Sequence, residues 1–141
     1  MLYTKCYISN SIDLWDKSQL DKLFLFSKAQ NICWDISGLL LYNEGTFLQV
    51  LEGENDEVEK LLTKIKRDKR HNQITVLMDK PIKQRLFKNF KTGLVSSKNE
   101  KELMKLKSKI QLPKTSKYAK SLRAILYSFT LPQQSLIGYD I

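Results

Sequence analysis

Six patterned segments follow one another in the order strand, helix, strand, strand, helix, strand, and this order constrains the fold more than any other feature of the chain. Leu2 to Ile8 reads as a strand, because Leu2, Thr4, Cys6 and Ile8 alternate with Tyr3, Lys5 and Tyr7. The polar stretch from Ser9 to Ser18 offers Asp and Ser residues as helix caps. Leu20, Leu23, Phe24 and Ser27 then recur at the spacing of an amphipathic helix, with Asn31 on the same stripe near its C-terminal end. Two strands, Ile36 to Tyr42 and Thr46 to Leu51, are joined by Asn43-Glu44-Gly45, a short glycine-containing hairpin connection. Gly53 ends the second of them. A second helix is predicted over Asn55 to Asp68, with Val58, Leu61, Leu62 and Ile65 on its apolar face. Arg67 to Asn72 reads as a charged turn, and Gln73 to Met78 as a strand before a break at Pro81. Phe90 to Val95 reads as a weak final strand.

The β-α-β-β-α-β order is the split βαβ, ferredoxin-like arrangement, an α+β fold with one extra strand appended here. Both helices of such a fold lie on one face of the sheet, so something else must cover the other. Residues 96–141 supply the candidate. Residues 99–109 look helical and almost wholly charged, Pro113 breaks the chain, and Leu122, Ile125, Leu126 and Phe129 form a second short amphipathic stripe. The expected division is a core over residues 1–95 and a basic C-terminal helical extension over residues 96–141 that packs on the sheet. Lys117, Lys120 and Arg123 flank the stripe, so contact with a membrane surface is the alternative use for it.

Composition narrows the function classes. With 141 residues and 42 % hydrophobic side chains, the chain has length and apolar content for one domain and is not disordered throughout. No apolar run approaches the roughly 18–20 residues of a membrane span, and the N-terminal residues lack the features of a secretory signal. A cytoplasmic location is expected. Cys6 and Cys33 form no CxxC pair, and with one histidine in the chain a metal site is not expected. Both thiols read as small buried hydrophobes in a reducing compartment. The net charge of +9 is uneven: residues 1–95 carry fifteen basic and twelve acidic side chains, residues 96–141 nine and three. A tail of this kind invites an acidic or nucleic-acid partner. A basic ferredoxin-like nucleic-acid-binding module is therefore the alternative function. Against it, the aromatic residues are not arranged as an RNP pair, and the core is close to charge balance.

No GxSxG, P-loop or GxGxxG occurs, so the chain is not expected to be an enzyme. Three polar residues nevertheless stand where a core prefers apolar ones: Tyr7 in the first strand, Gln49 inside Phe47-Leu48-Gln49-Val50-Leu51, and Asn31 at the end of the first helix stripe. A buried glutamine amide without partners costs about 1–3 kcal/mol. In a ferredoxin-like sheet the first and third strands are central neighbours, so Tyr7 and Gln49 can meet on one face. A phenol and two carboxamides suit the edge of a heteroaromatic ring. They equally suit a core hydrogen-bond network complete in itself. Asp68-Lys69-Arg70-His71 reads, on its residues alone, as a solvated turn after a helix, and Glu52-Gly53 as a strand-end hydrogen bond and a turn.

At these residues the chain resembles a known family. Ser37-Gly38-Leu39-Leu40-Leu41-Tyr42, then Phe47-Leu48-Gln49-Val50-Leu51-Glu52-Gly53, then Asp68-Lys69-Arg70-His71 are similar to a BLUF domain, a blue-light sensor using FAD. Tyr7-Ile8-Ser9 and Pro81-Ile82 fall in matching order, and the similarity covers about residues 1–95. The resemblance implies a flavin, usually FAD with FMN or riboflavin as alternatives, held without covalent bonds between the two helices. It implies that Tyr7 is the photoactive tyrosine and Gln49 the switching glutamine. By the same resemblance, Asn31 bonds the ring carbonyl edge, Ser27 supplies a nearby hydroxyl, and Phe47 and Ile65 pack near the ring. Lys64 stands where a basic residue is often found, and Asp68, Arg70 and His71 match polar residues at the ribityl and phosphate end. Under blue light Tyr7 would give up an electron and then a proton by way of Gln49, which ends rearranged. Signalling would pass to a downstream protein partner through the C-terminal region or through contacts in a homo-oligomer.

The chain also departs from that family. Many members carry Trp and then Met in the last strand, where this chain has Phe90 and Thr92. Phe lacks the indole N–H, so it packs but cannot donate a hydrogen bond. Trp15 and Trp34 lie elsewhere in the sequence.

Overall fold

A computed structural model of the chain describes residues 1–88, 94–96 and 116–130. Its elements are β1 (Leu2–Ser11), α1 (Lys17–Cys33), β2 (Ser37–Asn43), β3 (Thr46–Glu54), α2 (Asn55–Lys66), β4 (His71–Pro81), β5 (Leu94–Ser96) and α3 (Lys117–Thr130). The sheet runs β4-β1-β3-β2-β5. Neighbours among its first four strands are antiparallel, as the ferredoxin-like order requires, and β5 joins β2 in parallel. Leu94–Ser96 of β5 overlap the end of the segment expected for the extra strand; Phe90 and Thr92 lie outside the described residues, as do residues 99–109.

Local chemistry sets the joints. Asp16 caps α1: its carboxylate accepts from the Gln19 backbone N–H at 2.8 Å, and the Gln19 side chain accepts from the Asp16 N–H at 2.9 Å. The β2–β3 hairpin turns on Glu44 and Gly45, whose φ values of 45° and 90° are those of a two-residue turn matching the strand twist. Gly38 has to be glycine, because a Cβ there would lie 1.8 Å from the Val50 carbonyl oxygen of the neighbouring strand. α2 stops at Lys66 rather than Asp68. The Asp68 carboxylate accepts from the Arg70 backbone N–H at 2.9 Å, a local bond that turns the chain instead of extending the helix. His71 consequently opens β4 opposite Ser11 instead of lying in the turn, and Gly53 sits within β3.

Because side chains alternate along a strand, each central strand feeds two cores. On the face under α1 and α2, Leu40, Tyr42 and Phe47 pack with Leu20, and Ile36 and Leu51 pack with Val58 and Leu61. On the opposite face Cys6, Leu39, Leu41, Leu48 and Val50 pack with Leu122 and Leu126 of α3. Ile125 and Phe129 lie against the same cluster, so the apolar stripe of α3 meets the sheet while Lys117, Lys120 and Arg123 remain exposed. Among the described residues no helix is long and apolar enough to cross a membrane.

Candidate functional site

A cleft opens between α1 and α2 above the middle of the sheet. Its floor is Tyr7 of β1 and Gln49 of β3, which are directly opposite each other in the strand register. The Tyr7 hydroxyl donates to Gln49 Oε1, and both residues are deeply buried, at 3 % and 5 % exposure. Burial drives the Tyr7 phenol far above its ordinary range, so the proton stays on the oxygen in the ground state. With Oε1 taken by the phenol, the amide N–H pair is the part of Gln49 left to meet a group in the cleft.

The walls are supplied by periodic residues of the two helices. Leu23, Phe26, Ser27, Gln30 and Asn31 come from α1, and Leu61, Lys64 and Ile65 from α2. Leu40 and Phe47 close the β2 side. Asn31 is 2 % exposed, a buried carboxamide at the inner end of the α1 wall. Lys64 reaches toward the C-terminal end of α1, its Nζ 5.5 Å from the centre of the Trp34 ring.

The rim beyond α2 is polar. Arg70 grips Asp68 in a fork, Nε to Oδ1 at 2.9 Å and Nη2 to Oδ2 at 2.5 Å, and this guanidinium holds the Asp68 carboxyl below its usual range. Arg70 also lies over the Trp15 ring, 5.5 Å from its centre. His71 Nε2 bonds the Ile65 carbonyl oxygen at 2.7 Å, which fixes that nitrogen as the donor. In the neutral ring Nδ1 then accepts from the Ser9 hydroxyl at 2.8 Å. Both nitrogens of His71 are thus engaged in tying β4 to β1 and to the end of α2.

All ten residues singled out from the sequence, Tyr7, Ser27, Asn31, Phe47, Gln49, Lys64, Ile65, Asp68, Arg70 and His71, line this one cleft. Trp15 lines it too and was not foreseen. It lies in the polar connection before α1, where no periodicity marks it, and it reaches the cleft edge-on to Phe47 at 5.6 Å. Among the described residues no cluster of metal-ligating side chains occurs.

The cleft suits a flat heteroaromatic ring: apolar side chains for its faces, carboxamides at its inner edge, a redox-capable phenol one hydrogen bond behind, and a polar rim carrying Lys64, Arg70 and Asp68. Residues 2–93 match the family described as sensors of blue light using FAD. The chain belongs to the BLUF family. Its cofactor is accordingly FAD, and the domain is a flavin-binding blue-light sensor. Photoactivated adenylate cyclase subunit alpha of Euglena gracilis is 35 % identical over 86 residues, which are 61 % of this chain and 8 % of that protein. A bacterial light-regulated adenylyl cyclase has the same fold with a TM-score of 0.69 and 32 % identity, over 92 % of this chain and 35 % of that one. BlrB, a BLUF protein in its dark state, aligns with a TM-score of 0.67 and 26 % identity over 87 % of this chain and 96 % of its own. The BLUF chain spans about a tenth of the length of the first of these relatives.

Proposed function

We propose that this BLUF domain is a light-operated conformational switch whose two states are two hydrogen-bond arrangements of Tyr7 and Gln49, read out by a partner protein through the C-terminal region. The observation that carries the reading is the buried Tyr7–Gln49 hydrogen bond on the floor of an apolar cleft. FAD, when bound, supplies blue-light absorption and an excited state that accepts an electron. Tyr7 is positioned to give up that electron, and the Gln49 carboxamide to which its hydroxyl donates offers a path for the proton. When both return to the phenol, Gln49 settles in a rearranged orientation that offers a different hydrogen bond to the cleft. Nothing is consumed, so the output is a population shift and not a product, and the chain itself acts as a sensor, not an enzyme.

Asn31 and Ser27 orient the ring edge in this reading, Phe47 and Ile65 hold its faces, and Lys64 with Arg70 neutralises the anionic tail, Asp68 and His71 bracing that rim. The buried Cys6 thiol, pushed up to about 12 by desolvation, is inert and suits a reducing cytoplasm. The basic tail fits an acidic surface on the partner or on a second copy of the chain.

The test is the flavin absorption spectrum before and after blue light. The visible band is expected to shift to the red and to recover in darkness. Tyr7→Phe is expected to keep the flavin and abolish the shift. A normal shift in that variant would remove Tyr7 from the switch, and a protein that binds no flavin on reconstitution would overturn the reading.

A further inference from the structure

Glu52 lies three residues beyond Gln49 on β3, on the opposite face of the sheet, and is 0 % exposed. A carboxylate at that depth is tolerated only when donors surround it. Here the Ser37 hydroxyl donates to Oε1 at 3.0 Å and the Phe87 N–H at 2.9 Å, while the Leu86 N–H donates to Oε2 at 2.8 Å and the Tyr118 hydroxyl at 2.6 Å. Among the described residues no lysine or arginine forms an ion pair with it. Tyr118 belongs to α3, so this carboxylate fastens the C-terminal helix directly to β3.

The same hydroxyl also reaches β1. Its single proton goes to Glu52, so the Thr4 hydroxyl, 2.9 Å away, donates to the Tyr118 oxygen. Thr4 and Glu52 face each other in the β1–β3 register, the register that also sets Tyr7 opposite Gln49. One side chain of α3 thus straddles the seam between the two strands that carry the photoactive pair.

Resting on the switch reading above, we propose that Tyr118 and Glu52 are the positioning residues of signal output: a rearrangement at Gln49 that shifts β3 against β1 breaks the Thr4–Tyr118–Glu52 bridge and loosens α3. A short bond to a charged acceptor is strongly directional, so a small slide of one strand leaves Tyr118 unable to keep both partners. Packed interfaces answer such a slide by changing state rather than by stretching. Burial and the Glu52 charge both raise the Tyr118 phenol far above its usual range, which keeps the bridging proton in place.

Hydrogen exchange of the α3 amides in the full FAD-bound chain, in darkness and under blue light, tests this, with the flavin band followed in the same samples. Wild-type α3 is expected to exchange several-fold faster in light. Tyr118→Phe keeps the red shift, exchanges about tenfold faster than wild type in darkness, and shows no further increase in light. Glu52→Gln, which preserves volume, gives the same pattern and stands in if the first variant does not fold. Leu126→Ala removes packing from the same helix without touching the bridge, so it exchanges faster in darkness yet keeps the light increment. A wild-type increment surviving in Tyr118→Phe overturns the proposal, as does its loss in Leu126→Ala, because α3 would then be answering to packing alone. A red shift with no change in wild-type α3 overturns the output proposal and leaves the sensor reading standing; a missing red shift overturns the sensor reading itself.

Discussion

The two faces of the sheet are built from the same three central strands and solve opposite problems. Under α1 and α2, Tyr7 and Gln49 place polar groups on the floor of a cleft that stays open between the helices. Under α3, Cys6, Leu39, Leu41, Leu48 and Val50 are sealed against Leu122 and Leu126, and the one carboxylate among them has every oxygen saturated. Alternation along β1 and β3 means that the two faces share one backbone layer. A responsive network on one side is therefore backed, through a single layer of backbone, by a tightly satisfied one on the other. In the output proposal the second face of the sheet is itself the transmission element, through the Thr4–Tyr118–Glu52 bridge.

Separating the two faces by mutation is the sharpest way to challenge that comparison. Leu122→Ala leaves a cavity in the α3 face and is expected to destabilise the fold by about 2–5 kcal/mol, read as a lower midpoint in denaturant, with the red shift of the surviving folded protein unchanged. If the shift vanished with it, the faces would be a single unit. Gln49→Leu reverses the pattern. It replaces a carboxamide by an apolar group of similar size but leaves the buried Tyr7 hydroxyl without its acceptor, so stability is expected to fall by about 1–3 kcal/mol while the light-induced shift disappears. The smallest effect belongs to the rim. Arg70 lowers the Asp68 carboxyl from its ordinary value of 3.8, so their pairing stabilises the protein while Asp68 is ionised and is lost as pH falls through the lowered folded-state value. Asp68→Asn is expected to cost no more than about 1 kcal/mol of stability at neutral pH for so exposed a pair, read as a slightly lower thermal midpoint. The difference from wild type should close in acid, and a difference that persisted there would mean that Asp68 does not act through its charge.

Much of this was legible before any coordinate. The period-2 runs of β1 to β3 and the helical spacing of α1 and α2 are local signals, and they put Tyr7, Asn31 and Gln49 on one side of a ferredoxin-like sheet. The end of α2 was less legible, because the Asp68–Arg70 bond that turns the chain competes with a helix pattern that runs on past it. Trp15 was invisible for a different reason: it is fixed by Phe47 and Arg70, far along the chain, and not by any neighbour in sequence.

Glu52 marks the boundary most clearly. Read in sequence it ends an apolar strand and invites nothing more than a strand-end hydrogen bond. Folding buries it completely and brings donors from Ser37, Leu86, Phe87 and Tyr118, the last of them 66 residues away. The order of the strands and helices, the two faces of each strand and the polar trio on one of them are legible along the chain, because periodicity is written within a few residues. Folding chose between the two uses open to the α3 stripe by packing it on the second face, and it brought the helix's tyrosine onto the seam between β1 and β3. A buried charge is satisfied by whatever the fold brings to it, and no local pattern encodes that meeting.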